Sequence, residues 1–359
     1  MKKTLAILLV TGFFLTGCSS STENKTTTPD TTAADTTVAE ATEVTIPETT
    51  IAETTQESEA EAASGTVEIE DLYGTVTVPV NPQRVVALDS RTYETLDAWG
   101  IEIVAGPKGL MPDGISYKTN DDVEDIGTHN EPNLEVIAAV EPDLVIIGQR
   151  FAGHREAILD LGLDAVIIDL NIDVSEEAAN PGDNLVNGFI DFTMALGQIF
   201  DKNAEAEALI ADFEDAMTEA QAAYNGTDTI MTIIVSGGNI RFAAPQSGRV
   251  WGPLYDVFGW VSSLEIDDAS SDHQGDEIGI EAIAESDPDW IFVLDRDAMN
   301  ASADGYVPAY DIIAASPALA NITAVTGDQM VFAPNDTYTN ESIQTFTTLF
   351  KTLASALSE

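Results

Sequence analysis

Short apolar runs rich in branched side chains alternate along most of the chain with stretches whose apolar positions recur at helical spacing. Residues 85–88 read as a strand, 93–99 as a helix closed by Gly100, and 103–105 as a strand again. The rhythm continues with 134–140 (helix), 144–147 (strand), 154–161 (helix) and 165–168 (strand). Such alternation predicts a parallel sheet covered by helices. Residues 184–224 interrupt it with two long helical stretches, the second of which, 204–224, places Leu209, Ile210, Phe213 and Met217 on one face. After Asn225 and Gly226 the rhythm resumes at 229–235, 252–258, 278–284, 290–294, 330–333 and 341–357, enough for a second α/β lobe.

The two lobes echo each other. Residues 133–150 align without gaps on 279–296 with six identities in eighteen positions, including Glu135 with Glu281, Pro142 with Pro288, Asp143 with Asp289 and Arg150 with Arg296. Each copy reads as helix, Pro-Asp turn, buried strand, arginine. Both arginines are thereby expected at the carboxyl end of a strand, the edge at which open α/β sheets bind ligands.

Composition narrows the function. A chain of 359 residues suits about two domains, and with a single cysteine it can form neither an internal disulfide nor a thiolate zinc cluster. A formal charge of -48 argues against nucleic acid as a partner, since phosphate contacts need clustered cations. At the N-terminus, Lys2 and Lys3 precede an apolar stretch too short to span a bilayer as a mature helix. Leu15-Thr16-Gly17-Cys18 at its end resembles the lipobox of bacterial lipoproteins, which implies cleavage, lipidation of Cys18 and anchoring at the outer face of the cytoplasmic membrane. Residues 19–64 are dominated by Thr, Ala, Glu, Ser and Asp, a composition that cannot bury enough apolar surface to order itself. Such a tether reaches on the order of 40 Å. The expected organisation is a signal peptide at 1–18, an acidic linker at 19–64, an N-terminal lobe at 65–200, an interlobe helix at 201–225 and a C-terminal lobe at 226–359.

From about Arg84 to the C-terminus the chain resembles the solute-binding lipoproteins of ABC importers, specifically the ferric-siderophore group. The residues that carry the likeness are Pro82-Gln83-Arg84-Val85-Val86, Glu131-Pro132-Asn133-Leu134-Glu135 followed by Pro142-Asp143, the Ser247-Gly248-Arg249 loop, and Asp287-Pro288-Asp289 leading to Arg296. The resemblance implies two Rossmann-like lobes with parallel-rich sheets, joined by one long helix, with the ligand cleft between them. It also implies that Glu135 and Glu281 dock into arginines of the permease.

The basic side chains merit separate weight. The segment 65–359 holds seven arginines and four lysines against 52 acids, a net charge of -41, so an anionic ligand must be gripped locally. Arginine suits planar anionic oxygen donors because its rigid fork donates several hydrogen bonds and stacks on rings. In catecholate-siderophore binders similar to this chain an arginine trio falls at the positions of Arg150, Arg249 and Arg296; Arg91 and Arg241 are secondary candidates. Members that accept tetradentate siderophores complete the Fe(III) octahedron with a histidine and a tyrosine, which the motif positions place at His273 and Tyr338. The Thr-Asn-Glu after Tyr338 departs from the family's usual wording.

The resulting expectation is a monomeric, exported, lipid-anchored binding protein that captures a ferric siderophore, favouring the catecholate type, and hands it to an ABC permease, with no permanently bound cofactor and no enzymatic role. Other ligands suit the same architecture: haem, a corrinoid, or a bare metal held by His129, His154 and His273 with carboxylates. An extracellular hydrolase would call for a Gly-x-Ser-x-Gly, His-Glu-x-x-His or phosphate loop, and the sequence contains none. A passive surface protein would have no use for arginines at strand ends.

Overall fold

In the computed structural model, which describes residues 65–358 other than Glu176 and Asp268, the alternation of 85–169 closes into a five-stranded sheet. An antiparallel hairpin, β1 (Thr66–Asp71) and β2 (Gly74–Pro79), comes first and sends Ile69 and Val78 into the lobe's core. There follow β3 (Val85–Ala87), α1 (Tyr93–Ala98), β4 (Ile103–Gly106), β5 (Glu124–Asp125), the ribbon β6 (Gly127–Thr128) and β7 (Glu131–Pro132), α2 (Leu134–Ala139), β8 (Leu144–Ile147), α3 (Arg155–Leu159) and β9 (Val166–Asp169). The sheet runs β5-β4-β3-β8-β9, all parallel. Its central strands are continuous apolar runs because helices cover both faces. Successive side chains alternate accordingly: Val85, Leu144 and Ile146 face one cluster, Val86, Val145 and Ile147 the other.

Two long helices come next, α4 (Pro181–Ile199) and α5 (Asn203–Ala223). The helix expected to join the lobes, at 201–225, is not the one that crosses. Along α4, Leu185 and Phe189 pack into the C-terminal core, whereas Ala195, Leu196 and Ile199 pack into the N-terminal core. On α5, by contrast, Ile210, Phe213, Ala216 and Ala220 all belong to the C-terminal core. Apolar spacing reveals which face of a helix is buried, but not which lobe receives it.

The second lobe comprises β10 (Thr229–Ser236), β11 (Asn239–Phe242), α6 (Gly252–Phe258), β12 (Val261–Ser262), α7 (Ile280–Ser286), β13 (Trp290–Asp295), α8 (Ala309–Ala314), α9 (Thr323–Thr326), β14 (Met330–Phe332), α10 (Thr337–Asn340) and α11 (Ile343–Leu357). Its sheet runs β11-β10-β13-β14, with β12 also paired to β10; only β11 is antiparallel. The helix expected at 341–357 begins two residues later, because Glu341 takes a left-handed conformation (φ 31°) and Ser342 then caps α11 by accepting the Thr345 N–H at 3.0 Å.

The internal echo has a structural counterpart. β8 and β13 each lie inside their sheets, flanked by β3 and β9 and by β10 and β14. The aspartate of each Pro-Asp turn ties down the start of the neighbouring strand: Asp143 accepts the Gln83 and Arg84 N–H groups at 2.7 and 2.9 Å, and Asp289 accepts the Thr229 N–H and hydroxyl at 2.7 and 2.8 Å.

Candidate functional site

Four side chains meet where the carboxyl ends of the two sheets face each other. Arg150 follows β8, after a Gly148 whose replacement by any larger residue would put a Cβ 2.5 Å from an Asp89 carboxylate oxygen. Arg296 follows β13, where the Asp295 carboxylate fixes the turn by accepting the Asp297 and Ala298 N–H groups, both at 3.1 Å, and the Tyr306 hydroxyl at 2.7 Å. Arg249 comes from the loop between β11 and α6, and Tyr338 from α10.

The three guanidinium groups enclose the ring of Tyr338, with their central carbons 4.9 Å (Arg150), 4.8 Å (Arg249) and 4.7 Å (Arg296) from its centroid. Every pair therefore lies within roughly 10 Å, a separation at which two unit charges repel by about 2 kcal/mol at the effective dielectric of a protein surface. Several contacts offset that repulsion. Arg150 donates across the cleft to the Tyr338 carbonyl at 2.7 Å, Arg249 donates to the same oxygen at 3.4 Å, and Arg296 donates to the Ser236 hydroxyl at 2.9 Å. The Nε groups of all three are buried without a hydrogen-bond partner among the described residues, a cost of about 1–3 kcal/mol for each such donor. Burial alone would raise the Tyr338 phenol, but a hydrogen bond from Arg296 and the charges of Arg249, Arg150 and Arg296 outweigh it and hold the group below its ordinary value. The arrangement eases loss of the Tyr338 proton and offers cationic donors to further anionic oxygens.

The same field reaches His273, which is exposed in a loop of the C-terminal lobe. Burial lowers its imidazole, Asp272 opposes that, and the charges of Arg296, Arg249 and Arg150 add to the lowering. Among the described residues its side chain makes no hydrogen bond, so it stands near the arginine cluster without joining it. His129 is also lowered, first by burial and then by Arg150, His154, Arg249 and His273. The His154 Nε2 lies 2.5 Å from the His129 carbonyl. Among the described residues no three or more His, Cys, Asp or Glu side chains gather to hold a metal ion. A cleft of about 430 Å3 is walled by Met111 and Lys118 of one lobe and by Met299, Asn335, Asp336 and Thr339 of the other; Tyr338 and the three arginines are not in its walls.

Sequence reasoning missed Glu341. Its buried carboxylate forms an ion pair with Arg249, lies 3.7 Å from Arg91 and accepts the Gln149 side-chain amide at 2.6 Å. The departure from family wording after Tyr338 was the one signal of it. Of the two secondary arginines, Arg91 thus joins the site's floor, while Arg241 pairs instead with Glu277 at 2.9 Å.

Glu135 and Glu281 occupy equivalent places, exposed in the first turns of α2 and α7, and neither forms an ion pair among the described residues. Cys18 and the linker lie outside the described residues. Among the described residues no helix is long and apolar enough to cross a membrane.

The chain is similar to several known proteins. The chain is 27% identical over 264 residues to the petrobactin-binding protein YclQ of Bacillus subtilis, covering 73% of this chain and 77% of that one. It is 29% identical over 234 residues to the ferric-anguibactin-binding protein FatB of Vibrio anguillarum, covering 65% and 70%. Among solved structures, a TroA-like periplasmic binding protein from Xylanimonas cellulosilytica superimposes with a TM-score of 0.66 at 28% identity, over 83% of this chain and 99% of that one. The periplasmic binding protein family model matches residues 85–337, and the chain belongs to that family.

Proposed function

We propose that this protein captures an Fe(III) siderophore complex in the cleft between its lobes and delivers it to an ABC permease. The observation that carries the reading is the convergence of Arg150, Arg249 and Arg296 on one phenol at facing sheet edges. Three guanidinium forks in a chain so acidic fit a ligand that is itself anionic, planar and rich in oxygen, as catecholates are. The names of the relatives, a petrobactin binder and a ferric-anguibactin binder, point the same way.

In this reading the arginines bind the ligand's anionic oxygens, and Tyr338 and His273 fill iron positions that a tetradentate siderophore leaves open. A phenolate is a hard donor matched to Fe(III), and a phenol already lowered by its neighbours loses its proton at smaller cost. The protein performs no covalent chemistry and keeps no resident cofactor. Glu135 and Glu281, exposed on the two lobes, dock to the permease, and Cys18 carries the lipid that anchors a monomer at the outer face of the cytoplasmic membrane.

Quenching of intrinsic fluorescence tests the reading, with ferric catecholate, ferric hydroxamate and haem as competing ligands. Catecholate should bind tightest, and Arg150→Ala, Arg249→Ala or Arg296→Ala should each weaken it at least tenfold. Preference for haem, or indifference to all three substitutions, would refute the assignment. Tyr338→Phe and His273→Ala should shift the charge-transfer band of a bound tetradentate complex if both residues reach the iron.

A further inference from the structure

The site that binds an anion contains an anion of its own. Glu341 is only 6% exposed, and its residue takes the left-handed backbone conformation (φ 31°, ψ 33°) that a side chain adopts at a cost. Its carboxylate is engaged from both lobes: Arg249 of the C-terminal lobe pairs with one oxygen, while Gln149 at 2.6 Å and Arg91 at 3.7 Å approach the other from the N-terminal lobe. Gln149 is also left-handed (φ 38°), and its amide oxygen accepts the Ser90 hydroxyl at 2.5 Å, which orients its N–H toward Glu341. Two strained residues and a buried charge are thus spent on one ion pair. Apolar side chains in place of the pair would meet no desolvation of a charge, so the pair is not explained by stability alone.

Resting on the siderophore reading above, we infer that Glu341 determines specificity by subtracting charge from the arginine cluster, selecting an iron complex of low net negative charge over a highly charged one. A bis-catecholate of Fe(III) carries one net negative charge and leaves two iron positions open, which Tyr338 and His273 supply in the proposed mode. A tris-catecholate carries three negative charges and leaves no position open. Glu341, already occupying one fork of Arg249, repels the second complex more strongly than the first because Coulomb energy scales with ligand charge.

The experiment compares dissociation constants of two synthetic probes, the Fe(III) complexes of a linear bis-catecholamide and of a tripodal tris-catecholamide, for the wild type, Glu341→Gln and Glu341→Gly. The glutamine variant keeps the hydrogen-bonding shape without the charge. The glycine variant removes the charge and the backbone strain together, so the two variants make different demands on the fold, and a thermal melt of each accompanies the titrations. The ratio of the tris to the bis constant should fall tenfold or more in both variants. If both constants change by the same factor, Glu341 merely positions Arg249 and the inference fails while the siderophore reading stands. If the wild type binds neither probe, both readings fail.

Discussion

Tyr338 and Asp89 show the same local chemistry with opposite outcomes. Both are buried, and burial raises the pKa of each, but three arginines reverse the effect at Tyr338. At Asp89 burial prevails over the attraction of Arg91 and its backbone N–H, while Asp169 and Glu341 add to the rise, and the carboxyl is pushed up to about 6. A carboxyl raised above its unfolded value of 3.8 stabilises the fold fully below that value and loses the contribution as pH climbs through 6. Asp89→Asn removes the loss, so its stability relative to wild type should improve by about 3 kcal/mol at most as pH rises from 4 to 7, with no further gain above. Thermal melts across that range check the trend; a gap constant with pH would show that Asp89 is not the titrating group. Reading the sequence singled out Arg150 and Arg296, because arginines at the ends of strands are rare in so acidic a chain, while Arg249 was reached through the family resemblance of its Ser-Gly-Arg loop. Finding the counter-anion was harder: Glu341 is one of 62 acids, and only the unusual Thr-Asn-Glu after Tyr338 sets it apart.

At the scale of elements, α4 and α5 illustrate what periodicity conveys. Their apolar stripes were legible, yet the crossing helix is α4, since Phe189 meets Phe213 and Phe346 at 5.7 and 5.1 Å in one lobe while Leu196 and Ile199 enter the other core. The two helices approach closely at Gly197, where an added Cβ would fall 2.6 Å from that of Ala206 and 3.3 Å from the Lys202 carbonyl. Gly197→Ala should therefore lower the melting temperature: better helix propensity contributes about 1 kcal/mol, but forcing the helices apart costs about 1–3 kcal/mol. A rise in melting temperature would mean that the connection yields freely. The hairpin β1–β2 went unread because alternation over only six residues per strand, bordering a polar tether, differs little from the tether itself.

For the molecule as a whole, two features govern ligand capture. The lobes are joined by a continuous helix and by side chains that bridge them, including Asn340 to Glu94 at 2.9 Å, Gln344 to Thr95 at 3.0 Å and Arg150 to the Tyr338 carbonyl at 2.7 Å. Binding should therefore change the radius of gyration by less than about 1 Å, and a larger contraction in small-angle scattering would contradict this rigidity. The second feature is charge. A body at -41 repels an anionic complex at long range, while the arginines attract it at contact. Salt screens the first interaction beyond a Debye length of about 10 Å at 0.1 M and leaves the second largely intact. Stopped-flow association of a ferric bis-catecholate should accordingly accelerate as ionic strength rises from about 0.01 to 0.1 M; slowing would indicate that the cleft's own field extends into solvent.

By itself the sequence determined the class of fold, the internal repeat and two arginines at strand ends, because each leaves a local mark: branched apolar runs that a covered parallel sheet accepts, a repeated Pro-Asp turn, and the scarce cations Arg150 and Arg296 after their strands. Tertiary structure alone decided that α4 rather than the next helix joins the lobes, that all three cations surround Tyr338, and that Glu341 lies buried among them. Those facts depend on which surfaces meet across nearly two hundred residues of chain, and no local pattern of side chains encodes such a meeting.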